Sequence, residues 1–303
     1  MAKTPAKPKR RKLELYRLTI SGLKPDTDYQ KFLVSLWANL RERAQRTFTP
    51  GGKGHVLDQL EVTRGNLWFQ FFSYAEDERP EVLDTDDMSL SENPLTPSEA
   101  LVHWTHAMGK QAEGRYVVLL ERVQTGIWPT KIEHYIQWMI EKPENALVVK
   151  KATANTNEPI SVSLELEPDE SFLKLVDAME KIASVTVRIV RPNPGWSDYE
   201  DLLSEEARES DAQSAEVKMN ARRNATLAKS GGIIGAMREA FRSKKIGRAI
   251  VEGDIDGERK RVSTESHGKS QYKYLETNQN GNVLHQSAQN KFFETLGKMT
   301  DDV

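Results

Sequence analysis

Apolar and polar residues alternate in the middle of the chain, and this period of two predicts β-strands. Between the alternating stretches, apolar residues recur every three or four positions, as they do on the buried face of a helix. Over residues 115–192 the predicted order is strand, helix, strand, strand, helix, strand, at 115–123, 129–143, 146–154, 160–167, 168–182 and 185–192. This order is typical of a split βαβ, or ferredoxin-like, domain.

The residues before this domain predict a smaller αβ domain. A strand at 12–21 is followed by a helix that Asp26 or Thr27 can cap. Two further apolar strands then flank a turn at Arg64-Gly65. A strand, a helix and a two-stranded hairpin are sufficient for a small second core.

The C-terminal third predicts charged helices, a β-hairpin turned at Asp256-Gly257 and a final amphipathic helix at 287–299. The apolar face of that helix suits either a dimer contact or packing within the chain. The expected class is α+β. Four segments are predicted: a disordered basic tail (1–11), an N-terminal αβ domain with an acidic insert at 76–92 (12–111), the ferredoxin-like domain (112–195), and helices, a basic hairpin and the C-terminal helix (196–303).

Composition excludes several classes of protein. The chain has 303 residues and no cysteine, which excludes disulfides, cysteine zinc sites, iron–sulfur clusters and cysteine nucleophiles. It contains no apolar run of about 18 residues, so no membrane span is expected. The basic N-terminus has no apolar stretch behind it and does not resemble a signal peptide. We therefore expect a cytoplasmic protein.

The hairpin supplies a limited indication of catalysis. Asp254, Glu258 and Lys260 are the residue types with which one class of nucleases holds Mg²⁺ and orients water. However, the turn at Asp256-Gly257 separates Asp254 from the other two. The chain also lacks a His-Glu-x-x-His motif and a Gly-x-Ser-x-Gly elbow. We expect no resident metal or cofactor, and binding is favoured over catalysis.

Basic residues are concentrated in parts of a chain whose net charge is only −2. Lysines and arginines there can neutralise phosphates, and near residue 270 lysines alternate with tyrosines, as in stacking platforms for single strands. Such contacts carry no base readout, so binding with little sequence specificity is expected. The candidate contacts are Lys9, Arg10, Arg11, Arg238, Arg242, Lys244, Lys245, Arg248, Arg259, Lys260, Arg261, Lys269, Tyr272 and Lys273. The alternatives are the magnesium nuclease and a scaffold that docks a basic protein through the acidic helix predicted at 197–211.

Two segments within residues 115–205, RVQTGIWPTKIEHYIQWMI and ISVSLELEPDESFLKLVDAMEKIASVTVRIVRPNPGWSDYEDLL, resemble the RexA family of phage-exclusion proteins in order and spacing. The whole chain is also similar to prokaryotic proteins of unknown function found near mobile elements. The resemblance implies a cytoplasmic homodimer that binds DNA in preference to RNA and acts as a sensor or effector in antiphage defence by abortive infection. It also implies a partner protein encoded nearby and transfers no catalytic residues. The basic tail and the acidic insert depart from that family.

Overall fold

The computed structural model of the protein describes residues 7–75, 81–83, 88–91, 93–96, 99–112, 114–154, 159–190, 214–223, 225–242, 248–279 and 281–301. The fold is α+β, and its sheets are mostly antiparallel. It divides into two compact units. Unit 1 comprises Met1–Leu164 and Ser270–Val303, and unit 2 comprises Glu165–Lys269. No described helix combines the length and the apolar character that crossing a bilayer requires.

The elements are numbered in chain order. The described strands are β1 (Lys9–Ser21), β2 (Thr47–Phe48), β3 (Lys53–Thr63), β4 (Asn66–Ala75), β5 (Val82–Leu83), β6 (Leu90–Ser91), β7 (His103–Ala112), β8 (Arg115–Arg122), β9 (Ser161–Leu166), β10 (Lys181–Val190), β11 (Ser214–Asn220), β12 (Arg248–Ile255), β13 (Glu258–Ser263) and β14 (Ser270–Leu275). The described helices are α1 (Tyr29–Asn39), α2 (Pro129–Glu141), α3 (Ala146–Ala152), α4 (Glu170–Ala178), α5 (Gly232–Arg242) and α6 (His285–Asp301).

Unit 1 contains an eight-stranded sheet in the order β14-β1-β8-β7-β4-β3-β2, with β9 also paired to β1. The predicted turn between β3 and β4 is confirmed: Arg64 and Gly65 have φ angles of 50° and 78°. Two successive residues with positive φ match the twist of a two-residue hairpin. Helix α1 is capped by Asp28, whose carboxylate accepts from the amides of Gln30 and Lys31.

Apolar residues cover both faces of this sheet. On one face, here called the α6 face, Leu15, Trp68 and Met108 pack against Phe292 and other apolar residues of α6. On the opposite face, here called the α2 face, the Tyr135 ring of α2 lies edge-on to Phe71 of β4, with 5.6 Å between centroids. The predicted C-terminal helix is thus confirmed, and its apolar face packs within the chain.

Unit 2 is a four-stranded antiparallel sheet in the order β11-β10-β12-β13. Helices α4 and α5 pack on one face of it, with Phe172 of α4 and Phe241 of α5 stacked 5.9 Å apart. The predicted hairpin is confirmed, with φ angles of 53° at Asp256 and 76° at Gly257. Among the described elements of unit 2, a helix is twice followed by two paired strands, in the order α4-β10-β11 and α5-β12-β13.

The ferredoxin-like domain predicted for 112–195 is not confirmed. Strand β8 belongs to the sheet of unit 1 and β10 to the sheet of unit 2, whereas a split βαβ domain needs them in one sheet. Residues 146–152 also form helix α3, where a strand was expected. A short apolar run such as Leu147-Val148-Val149 has no periodicity that separates a strand from a helix.

The predicted disordered tail at 1–11 also needs correction, because β1 begins at Lys9 and pairs with β14. Within the acidic insert, Val82–Leu83 and Leu90–Ser91 pair as a short ribbon. The acidic residues 197–211, together with Lys244 and Lys245, lie outside the described residues.

Candidate nucleic-acid interface

Two cationic residues near the N-terminus lie directly opposite two tyrosines near the C-terminus. Strand β1 pairs with β14 so that Arg10 is opposite Tyr274 and Lys12 is opposite Tyr272. Directly opposed residues of an antiparallel pair share one face of the sheet. The four side chains therefore lie together although they come from opposite ends of the chain.

The two tyrosines project from the edge strand into solvent. Tyr272 is 57% exposed and Tyr274 is 64% exposed, whereas Leu275 is fully buried against α6. Since side chains alternate along a strand, burial of Leu275 on the α6 face directs Tyr272 and Tyr274 to the α2 face. The guanidinium carbon of Arg10 lies 4.0 Å from the centroid of the Tyr272 ring. This is the distance of a cation–π contact.

The same surface continues onto the next strand and the loop that follows it. Lys12 is the register partner of Arg122 in β8. The guanidinium carbon of Arg122 lies 4.2 Å from the centroid of the Trp128 ring, which is 48% exposed. Three cations thus lie between the two tyrosines of the edge strand and the indole ring of Trp128. We call this set the cation–aromatic surface: Arg10, Lys12, Arg122, Trp128, Tyr272 and Tyr274.

A buried carboxylate fixes two of these cations. Glu14 Oε1 is 2.8 Å from Lys12 Nζ, and Glu14 Oε2 is 3.1 Å from Arg122 Nε. The Tyr16 hydroxyl donates to Glu14 Oε2 at 2.6 Å. Burial and the neighbouring carboxylate raise the pKa of the Tyr16 phenol, which keeps it a donor. With three cations and one carboxylate, the surface keeps an excess of positive charge.

Trp128 also borders a cavity of about 300 Å³ at the start of α2, which is lined by Pro50, Lys53, His55, Gly126, Trp128, Thr130 and Lys131. His55 Nδ1 lies 2.8 Å from Ser73 Oγ. Burial, followed by the positive charges of Lys53 and Lys131, lowers the pKa of His55 to about 4. The lining of the cavity therefore includes two lysines and an imidazole that is neutral near pH 7.

Two of the predicted contacts, Arg10 and Tyr272, belong to the cation–aromatic surface. Arg11 lies on the α6 face instead, where its Nε is 2.7 Å from buried Glu121. Lys9 and Lys273 share that face, because Lys273 is the register partner of Arg11 and Lys9 lies two residues before it. The alternation of the strand thus places these three residues on the face opposite Tyr272 and Tyr274.

The other four members of the cation–aromatic surface were not predicted. Two of them could have been found from the sequence, and two could not. Lys12 and Tyr274 lie two positions from Arg10 and Tyr272, so strand alternation alone could have added them. Arg122 and Trp128 have no local signal, because only the pairing of β1 with β8 brings them to this face.

The predicted contacts in unit 2 are largely engaged with acidic or backbone partners. Arg238 is 14% exposed and pairs with Asp177. Arg248 lies 3.1 Å from Glu265. Arg242 is exposed at the end of α5.

The hairpin arginines face two carboxylates of the neighbouring strand. Arg259 lies 3.6 Å from Asp254, and Arg261 lies 3.8 Å from Glu252. On this face of β12 and β13, two cations therefore oppose two acids. Lys260, on the other face, lies 3.8 Å from Glu258. The hairpin is less basic than its sequence implied.

The nuclease set Asp254, Glu258 and Lys260 is not brought together on one face. Asp254 is the register partner of Arg259, whereas Glu258 pairs with Ile255 and Lys260 with Gly253 on the opposite face. The turn thus separates the acid from the Glu-x-Lys pair. Among the described residues no group of three or more acidic or histidine side chains is arranged to hold a metal ion.

A buried chain of polar groups on the α6 face was not predicted. His106 Nδ1 lies 2.7 Å from Glu121 Oε2, and His106 Nε2 lies 2.8 Å from His285 Nδ1. The neighbouring His103, three residues away on the same strand, points to the opposite face. Burial and the neighbouring His106 lower the pKa of His285. Arg11 contacts the other carboxylate oxygen, so both oxygens of Glu121 are engaged, and this chain joins β1, β7, β8 and α6.

Comparison with known proteins gives one match to a family model. Residues 144–289 match a model described as a domain of unknown function, DUF4747. No curated protein matches the chain significantly. The matched segment contains Tyr272 and Tyr274, whereas Arg10, Lys12 and the other two members of the cation–aromatic surface precede it. By this match the chain is similar to DUF4747 proteins over its second half.

Proposed function

We propose that this protein binds single-stranded nucleic acid through the cation–aromatic surface, with little sequence specificity. The observation that carries the proposal is the cation–π stack of Arg10 on Tyr272 next to exposed Tyr274. Exposed rings interleaved with cations offer stacking for bases and charge for the phosphates between them. Every base has a π-face, so such a surface binds strands without reading their sequence.

The exposed rings and cations of the surface determine the expected affinity for a single strand and its dependence on salt. Stacking contributes roughly 1–3 kcal/mol per base when judged by alanine substitution. Each phosphate neutralised on a single strand contributes about −0.7 to the slope of log K against log salt. Because Glu14 offsets one of the three positive charges, about two neutralised phosphates predict a slope of about −1.4, or binding about sevenfold weaker at 200 mM than at 50 mM salt.

The test is fluorescence anisotropy with internally labelled strands of about 12 nucleotides, in DNA and RNA forms and beside duplex DNA. Tyr272→Ala should weaken binding by about five- to a hundredfold. Tyr272→Phe keeps the ring and should retain most of the affinity. Duplex DNA should bind more weakly, because its bases are already stacked.

Arg10→Ala has a matched control. The guanidinium carbon of Arg64 lies 5.2 Å from the Phe293 ring, in a similar cation–π contact on the α6 side. Arg64→Ala removes the same charge and should leave strand binding unchanged at a given salt concentration, whereas Arg10→Ala should weaken it. Equal losses of affinity in the two variants would show that binding depends only on the net charge of the protein. That result would contradict binding at the cation–aromatic surface.

The biological setting is proposed from the resemblance to the RexA family. We expect a cytoplasmic homodimer in antiphage defence that acts with a partner protein, with DNA as the ligand. Comparing phage plating on cells that express the wild-type protein or the Tyr272→Ala variant tests this setting. If the phage plates equally well on cells with either protein, the binding surface has no role in defence.

A further inference from the structure

We propose that the cavity beside Trp128 receives the terminal phosphate of the bound strand, so that the protein prefers phosphorylated ends. This inference rests on the proposed function, because Trp128 belongs both to the cation–aromatic surface and to the lining of the cavity. A base stacked on the exposed indole places the end of its strand at the cavity mouth.

The charges of the cavity favour a terminal phosphate over an internal one. A phosphate monoester carries about −1.5 to −2 charges at pH 7, whereas an internal diester carries one. Lys53 and Lys131 line the cavity together and both act on buried His55. Two lysines that line one cavity match a dianion better than a monoanion.

Lys53 is held in place by a further contact. Its Nζ donates to the backbone carbonyl of Thr125 at 2.6 Å. The bond orients one of three donors and points the ammonium along the loop that precedes Trp128. The inference rests on the two lysines and the indole of Trp128. The first turn of α2, which starts at Pro129, adds only the partial positive charge of a helix N-terminus.

The dimensions of the cavity are compatible with this ligand. A volume of about 300 Å³ is at the lower limit of small-molecule sites. It therefore suits a phosphate and part of its sugar, while the attached base remains outside on Trp128.

The experiment compares one internally labelled single strand with four different ends: 5′-phosphate, 3′-phosphate, both hydroxyl, and both phosphate. Anisotropy titrations of the full-length wild-type protein should show about tenfold tighter binding when a preferred end carries phosphate. This comparison needs no variant, so it does not depend on the folding of a mutant.

Three variants then locate the effect. Lys53→Gln and Lys131→Gln should each remove most of the preference for phosphate while binding of the hydroxyl-ended strand stays nearly unchanged. Lys150→Gln, at an exposed position of α3, removes the same charge and should keep the preference. A thermal melt of each variant checks that the fold is intact.

The imidazole of His55 provides a second readout in the wild-type protein. A phosphate between Lys53 and Lys131 offsets the charges that help to lower the His55 pKa. The NMR titration of His55 should therefore shift to higher pH with the phosphorylated strand and stay in place with the hydroxyl-ended strand.

Each remaining outcome counts against the inference in a distinguishable way. Equal affinity for all four ends overturns it and leaves the proposed function standing. A phosphate preference that survives both lysine substitutions places the phosphate elsewhere. A free nucleoside monophosphate that binds as tightly as the phosphorylated strand makes the cavity a nucleotide site. No binding of any strand overturns the inference and the proposed function together.

Discussion

Acidification should destabilise the protein through His55, and the sign follows from its surroundings. The imidazole is 3% exposed and forms a hydrogen bond with the hydroxyl of Ser73. It lines the same cavity as Lys53 and Lys131. Burial and the two ammonium groups lower its pKa to about 4, whereas an unfolded histidine titrates near about 6.5. Between these values the unfolded chain binds a proton that the folded chain does not. Stability is thus lost as pH falls from about 6.5 towards 4 and is unaffected above that window.

The two pKa values set the size of the effect. At pH 5 the unfolded histidine is almost fully protonated and the folded one is almost fully neutral. The linkage relation then gives a loss of about 2 kcal/mol relative to pH 7.5. This is a large fraction of the roughly 5–15 kcal/mol by which domains are stable.

The assay is urea unfolding of the wild-type protein and of His55→Gln at pH 7.5 and pH 5. Glutamine can still bond Ser73 but does not titrate, so the stability difference between the two proteins should shrink by about 2 kcal/mol on acidification. His285, whose pKa is also lowered, titrates alike in both proteins and cancels. A stability difference that is the same at the two pH values would show that His55 titrates normally and would refute the reasoning.

Three further substitutions, one of them a control, test buried contacts in the two units. Glu121→Ala leaves Arg11 and His106 without the carboxylate they share and should cost about 3–5 kcal/mol in urea unfolding. Glu294→Ala removes an exposed ion-pair partner and should cost less than about 1 kcal/mol, and similar losses in the two would contradict the buried network. Gly253→Ala places a Cβ atom 2.3 Å from a backbone oxygen of β10, so unit 2 should lose roughly 1–3 kcal/mol, measured by thermal melting. An unchanged melting temperature in that variant would be inconsistent with the close packing of β10 on β12.

Strands in the interior of the sheet were predictable from the sequence, and the edge strand was not. In β1 and β8, apolar side chains alternate or run continuously because both strands lie inside the sheet of unit 1. Strand β14 has a buried residue only at Leu275, and its other side chains are polar or exposed tyrosines. Without burial there is no hydrophobic period to detect, and this segment looked like a polar connection.

The tertiary arrangement was the part least accessible to local patterns. Apart from α3, the order of elements in residues 115–192 is that of a ferredoxin-like domain. In the structure, however, β8 and β10 lie in different sheets. Which strands pair depends on contacts between residues far apart in sequence, and local periodicity does not encode them. The same limit applied to the candidate site, where Arg10 and Tyr272 were each noticed but their contact was not.

The proposed binding surface depends on pairing between the two ends of the chain, and this explains why no short motif marks it. Tyr272 and Tyr274 are placed on the α2 face only because β14 pairs with β1 while Leu275 is buried against α6. Helix α6 therefore supports the surface from the opposite side of the sheet without contributing a side chain to it. The family match at 144–289 includes β14 but excludes β1 and ends within the first turns of α6. A segment with those bounds would keep the tyrosines and lose both the cations beside them and most of the helix that orients them, so the surface is a property of unit 1 as a whole.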